Sequence, residues 1–347
     1  MSEMQVQAPA NVKIGGEHSV VYGGPSISAA IGLFATATIT DTGNDKLEIV
    51  LKDLKLSISL DASRLRSLYK DYSSRDTTKS GDLARYIEKN QGIGKELLPY
   101  ATIAGRLLVE QGVNPIGKKV VIHSDVPIQK GYASSAVCST AFAMALIKAS
   151  GKKVDDATAI DICRDGERIV HKAETAGRID VGPAYFGGYA RFTGAKGVEK
   201  EKISTPVNII VIDTGPKPPT SEMVKVVREM YNANTEATTK VLREIDSCVE
   251  KEIIALKAGD LKELGKQMYR NHQLLAKLGV SSGGLDKAVS IAMSNGAYGA
   301  KLCGGGGGGM GIAIVGSPSE AEKVIKALKE AGFNSYSTSI TLKGASV

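Results

Sequence analysis

The chain has 347 residues, 42% hydrophobic and 23% charged, with a net charge of +7. That length allows two domains, and no signal peptide or uncharged apolar run of membrane-spanning length is legible, so a cytoplasmic location is expected, with no membrane partner. Lysines are spread along the chain beside acids and aromatics are 5%, which argues against nucleic acid and suits an anionic small molecule; Cys138, Cys163, Cys248 and Cys303 are too scattered for a zinc site or a disulfide framework.

In chain order, Val6 to Ile14 alternates as a strand should, which puts Asn11 and Lys13 on one face. It enters Gly15-Gly16-Glu17-His18, a turn able to present both Glu17 and His18. Ala35 to Thr40 and Leu47 to Leu60 read as a strand pair around the turn at Gly43. Lys70 to Gly81 reads as a mobile polar surface loop, and Glu96 to Gln111 as a helix. A strand at Lys119 to His123 then leads into Pro127 to Thr140, P-I-Q-K-G-Y-A-S-S-A-V-C-S-T, where a small-residue apolar helix begins. The first turn of a helix leaves N–H groups without partners and carries the positive end of the dipole, so this entrance suits a phosphate. Ser134 and Ser135 could cap the helix or ligate magnesium, but the same residues also suit a serine-capped core helix with no ligand.

From Asp155 the period is helical, and Glu167 and His171, four apart, share a face. Arg178-Ile179-Asp180 precedes the pairs Gly182-Pro183 and Gly187-Gly188, where an aspartate is commonly a turn-maker. From about Ile203 the pattern is a buried strand (Val207 to Ile212), a capped helix opening at Thr220, helices through Leu278 and from Leu285 to Ser294, then Lys301-Leu302-Cys303 followed by six glycines. Such a run is costly to order, and being hemmed by Leu302 and Ile312 it suits close approach of backbone to a ligand better than a linker. A strand from Met310, a helix from Ser319 to Glu330 and a strand from Asn334 to Thr341 follow. The fold expected is α+β, two domains with a ligand between them.

Three motifs carry a resemblance. Ala8-Pro9-Ala10-Asn11-Val12-Lys13-Ile14-Gly15-Gly16-Glu17-His18-Ser19-Val20-Val21-Tyr22-Gly23, Pro127 to Ala136, and Lys301 to Gly309 are similar in order and spacing to the signatures of the GHMP small-molecule kinases. Gly166-Glu167-Arg168-Ile169-Val170-His171 and Asn271-His272-Gln273-Leu274-Leu275 resemble the mevalonate kinases among them. The resemblance implies a ribosomal-protein-like N-terminal ATP-binding domain (1–200) and a ferredoxin-like C-terminal domain (201–347). It also implies ATP and Mg2+ as cofactors, and transfer of a phosphoryl group to the 5-hydroxyl of mevalonate or a phosphorylated mevalonate such as the 3-phosphate. The implied roles are catalysis for Asp180 and Lys13, and nucleotide binding for Lys130, Gly131, Ala133, Ser134, Ser135 and Ala136. Ser135 and Glu167 are the implied metal ligands; Glu17, His18, Tyr22, Arg178, Gly304, Gly305 and Gly306 are the implied substrate contacts. A small-molecule partner is expected, with a homodimer as the assembly to test.

The departures from the family pattern bear on function. Asn11 stands where the family has lysine, Lys13 lying two residues on; Gln129 and Ala133 replace glycines. Ala-Pro-Ala-Asn and Ala-Ser-Ser-Ala are closer to the diphosphomevalonate decarboxylases of the same superfamily. Lys172 and Arg178 sit in a two-residue expansion before Asp180 and, with Lys130, suggest a further phosphate on the acceptor. A decarboxylase and a catalytically silent binding protein remain as alternatives.

Overall fold

The computed structural model describes residues 3–77, 79–126, 133–174 and 176–346. One long hairpin organises the first sheet: β1 (Glu3–Gly15) runs antiparallel to β2 (Ser26–Asp41), with Lys13 opposite Ser28. Ala8, Ala10, Val12 and Ile14 of β1 and Ile27, Ala29 and Ile31 of β2 are fully buried, which sets the register because a one-residue slip would turn every one of them outward. The segment Leu47 to Leu60 is two strands and not one. β3 (Leu47–Leu51) and β4 (Leu56–Leu60) form their own hairpin, because the charged run Lys52 to Lys55 breaks the alternation and Lys55 turns the chain back at φ 55°. Nor does β3 lie against β2: β5 (Lys118–Ser124) inserts between them, parallel to β3 and antiparallel to β2.

The stretch expected as a loop from Lys70 is helical at both ends. α1 (Ala62–Ser73) buries Leu65, Leu68, Tyr69 and Tyr72 on one stripe, and α2 (Ser80–Lys89) follows after a short turn. Next come α3 (Leu98–Glu110), α4 (Ser134–Ser150) and α5 (Asp156–His171), then the short α6 (Val181–Phe186), β6 (Tyr189–Thr193) and β7 (Gly197–Glu201). β6 pairs with the Ser26–Ala29 end of β2 and β7 with β6.

The second sheet starts with β8 (Asn208–Asp213) and, after α7 (Thr220–Ala233), α8 (Thr235–Ala258), α9 (Leu261–Lys277) and α10 (Gly283–Ser294), adds β9 (Gly299–Leu302), β10 (Met310–Val315), α11 (Pro318–Glu330) and β11 (Asn334–Ser339). Its antiparallel order β11-β8-β10-β9 is the ferredoxin-like one. Period two divides its side chains: Ile209, Val211, Ile312 and Ile314 join the core of the first sheet, while Ile210, Ile212, Ala313 and Val315 pack under α10 and α11. The chain then crosses back. Thr341 N–H bonds to Ala30 O (3.0 Å), Ala345 N–H to Ala184 O (3.0 Å) and Ser346 N–H to Tyr185 O (3.0 Å), strapping residues 340–346 onto β2 and α6.

Candidate active site

A cleft of about 540 Å³ is lined from both units, by residues of the first motif, α4, α5 and Asp180 on one side and by Lys217, Thr220, Val224, Gly304 and Gly305 on the other. α4 supplies one wall because it is apolar all round: every residue from Ala136 to Ile147 is buried, so the helix is anchored in the core and its first turn opens into the cleft. The residue at its N-cap is Ala133, in the left-handed region at φ 57° with no side-chain cap, so Ser134 and Ser135 are first-turn residues that line the cleft, the Ser134 hydroxyl also meeting Cys138. His18, also facing the cleft, is held at a positive φ of 63°. Non-glycine residues held there store strain of about 1–3 kcal/mol each, which is characteristic of functional sites.

α5 reaches α4 at Gly166, where a Cβ would collide with Ser139. A glycine inside a helix costs about 1 kcal/mol; here it lets α5 pack closely on α4, and Glu167 and Ser135 both line the cleft. Glu167 Oε1 is buried with no hydrogen-bond partner among the described residues, while Oε2 lies 3.5 Å from His171 Nε2. That close contact with the Glu167 carboxylate raises the pKa of the half-exposed His171. An orphaned carboxylate oxygen and a serine hydroxyl lining one cleft suit magnesium, which takes one or two protein oxygens and completes its shell with phosphate and water.

Asp180 stands at the N-cap of α6, yet its side chain makes no cap; it pairs with Lys13 Nζ. Lys13 Nζ also bonds to Asn11 Oδ1 (2.8 Å), and Asn11 Nδ2 donates to the Asp180 carbonyl (2.9 Å). Burial, the largest influence, would lower the Lys13 pKa, but Asp180, Cys303 and Glu17 together outweigh it and the net direction is up, so the ammonium stays charged. Opposite, His18 Nε2 meets Gly305 O at 2.9 Å, and burial pushes the His18 pKa down, keeping the ring neutral. The glycine run serves the protein's own backbone as much as a ligand. Gly304 and Gly305 line the cleft, but a Cβ at Gly306 would strike Val280 O, at Gly308 Pro216 O, and at Gly309, 2.9 Å from Lys217 Cδ, the lysine stem.

Profiles described as GHMP kinases N terminal domain and GHMP kinases C terminal match residues 99–188 and 253–334. The mevalonate kinase of Pyrococcus horikoshii is 32% identical to this chain, the match covering 97% of the chain and 95% of the relative. The chain belongs to the GHMP kinase family. The mevalonate kinase of Pyrococcus abyssi is likewise 32% identical, over 97% of this chain and 95% of its own. The crystal structure of Methanococcus jannaschii mevalonate kinase superposes with a TM-score of 0.78 at 25% identity, covering 98% of both chains. This GHMP kinase is thus a phosphotransferase with an alcohol acceptor.

Behind the cleft the kinase buries a charged cluster. Lys301, fully buried, pairs with Glu17 and donates to Leu302 O (2.8 Å); breaking such a pair costs about 3–5 kcal/mol. Glu252 of α8 is 0% exposed, and neither of its oxygens accepts a hydrogen bond among the described residues. It fits because position 15 is glycine, whose Cβ would overlap Glu252 Oε2. Burial pushes its pKa up to about 8, with Glu17 adding to the rise and Lys301 opposing it. Neutral Glu252 leaves one cation facing one anion. Asn271 and His272 stand behind β9, where His272 Nδ1 accepts from Leu302 N–H at 3.3 Å.

Of the residues expected at the site, the fold brings Lys13, Glu17, His18, Ala133, Ser134, Ser135, Glu167, Asp180, Gly304 and Gly305 to the cleft. Lys130 and Gly131 lie outside the described residues. Ala136 is one residue too deep and is buried in the core. Gly306 packs on Val280, and Tyr22 stacks on Tyr231 with ring centroids 5.0 Å apart, away from the lining. Arg178 is not brought in either: Glu174, four residues earlier, takes its guanidinium at 2.7 Å, and it lies 6.0 Å from the Phe192 ring centroid. Sequence reasoning gave no site role to Lys217, Thr220, Lys301 or Glu252, although Lys301 opens the third motif and Thr220 was placed at a helix start. For Lys217 the signal was a lone lysine between prolines, Gly215-Pro216-Lys217-Pro218-Pro219, at the end of a buried strand.

Proposed function

We propose that this GHMP kinase transfers the γ-phosphoryl group of ATP to the 5-hydroxyl of mevalonate. The observation that carries the reading is the Asp180–Lys13 pair facing, across one cleft, the open first turn of α4. Phosphoryl transfer needs positioning and charge neutralisation more than covalent chemistry. In the proposed reaction the N–H groups at the start of α4 hold the phosphates, and Leu51, Leu54, Ile122 and Tyr100 offer an apolar wall for the base. Asp180 takes the proton of the acceptor hydroxyl, whose oxygen attacks the γ-phosphorus as ADP leaves; Lys13 balances the carboxylate and the charge developing beside it. Magnesium, held through Ser135 and Glu167, would neutralise phosphate charge when bound. His18, kept neutral, clamps the Gly305 backbone against the acceptor.

Relatives named mevalonate kinase over nearly the whole chain support mevalonate as the acceptor. A phosphorylated mevalonate loses support with Arg178, tied to Glu174, and with Lys172, which is exposed and absent from the lining. A coupled assay of ADP release with mevalonate, its 3-phosphate and its 5-phosphate tests the reading. Mevalonate should give the highest kcat/KM with no carbon dioxide released. Turnover confined to a phosphorylated acceptor, or accompanied by carbon dioxide, would overturn it.

A further inference from the structure

Resting on that reading, the charges around the cleft can be assigned in turn. Lys13 is committed to Asp180 and Asn11, His171 to Glu167, and Glu17 to Lys301; His18 is neutral and holds Gly305. Lys217 differs. It lines the cleft from the loop after β8, and no carboxylate lies within salt-bridge distance of it among the described residues. Its position is built: Thr214 N–H and Oγ1 both donate to Gly309 O (2.8 and 2.9 Å), and the stem lies against Gly309, where a Cβ would displace it. Pro216 and Pro218 pack on Gly308 and Gly307 in the same way, so three of the glycines keep this loop close. Among the charged groups Lys217 faces are Lys13 and Asp180, the pair proposed to meet the acceptor hydroxyl, together with Cys303 and His171; burial first and Lys13 second push its pKa down.

We infer that Lys217 receives the carboxylate of the acceptor and so makes the kinase select an acid over its neutral analogue. A partly buried cation with no counter-ion is unfavourable, and a bound monoanion would relieve it with one charge-assisted hydrogen bond. One unmatched cation on this side also fits an acceptor with a single negative charge, held by a residue from the unit opposite Arg178.

The test compares wild type, Lys217→Met and Lys217→Arg with mevalonate and with the triol in which a hydroxymethyl group replaces the carboxylate. Losing a hydrogen bond to a charged group should raise KM for mevalonate about 10- to 100-fold in Lys217→Met. KM for ATP and kcat/KM for the triol should stay within about threefold of wild type, and Lys217→Arg should regain part of the loss. An unchanged preference for mevalonate over the triol overturns the inference even if overall activity falls. So does a loss confined to KM for ATP, which would give Lys217 to the transferred phosphoryl group. Wild type that fails to turn over mevalonate removes the proposed function, and this inference with it; wild type that succeeds beside an unaffected variant removes the inference alone.

Discussion

Glu252 makes stability fall as pH rises, and replacing it with glutamine should abolish that trend. Its carboxyl sits at 0% exposure with neither oxygen hydrogen-bonded among the described residues, and burial moves its pKa from 4.5 to about 8. Between those values the folded chain holds a proton that the unfolded chain releases. Stability from this group is therefore complete below the unfolded pKa and is lost as pH rises toward the folded one, at up to about 1.4 kcal/mol per pH unit. From about pH 5.5 to about pH 8 the loss is about 3 kcal/mol. Urea denaturation of wild type and Glu252→Gln at intervals over that range measures it directly. The variant, uncharged and nearly isosteric, should lack this slope, so its advantage over wild type should grow with pH. Parallel pH profiles for the two proteins would show that Glu252 is ionised in the fold and that the reasoning from its burial is wrong.

Asp180→Asn should lower kcat by about two to four orders of magnitude while KM for ATP changes little, as steady-state kinetics would show. A variant that unfolds instead would return Asp180 to a structural role. Glu167→Gln should raise the magnesium concentration giving half-maximal rate by about tenfold or more, measured by metal titration at saturating ATP. Arg178→Ala should leave kcat/KM with mevalonate within about twofold of wild type and cost no more than about 1 kcal/mol in denaturant titration, since a partly exposed ion pair contributes little.

What the sequence made legible was whatever is written in local pattern. The strand of Asn11 and Lys13, the small-residue helix after Ser134, the shared face of Glu167 and His171, and the strand following the glycines all lie where periodicity put them. Pairing was less legible. The insertion of β5 between β2 and β3 depends on a partner some seventy residues away, which no local signal encodes. Charge was the least legible of all. Arg178 looked available because its neighbours suggested a basic loop, but Glu174 four residues earlier claims it. Lys301 and Glu252 lie in strand and helix patterns where charges usually face water, and their burial follows from the contact of the two units.

The strap formed by residues 340–346 has a consequence for synthesis of the chain. α6, which follows Asp180, is held through Ala184 and Tyr185 by Ala345 and Ser346, and these leave the ribosome after the whole second sheet. Folding during translation generally completes upstream units first, but here the upstream unit waits for a downstream piece. A nascent chain halted before residue 340 should therefore hold α6 by its packing on β1 and α4 alone, without the strap's hydrogen bonds, and proteases should cut it near residues 181–188 more readily until the strap arrives.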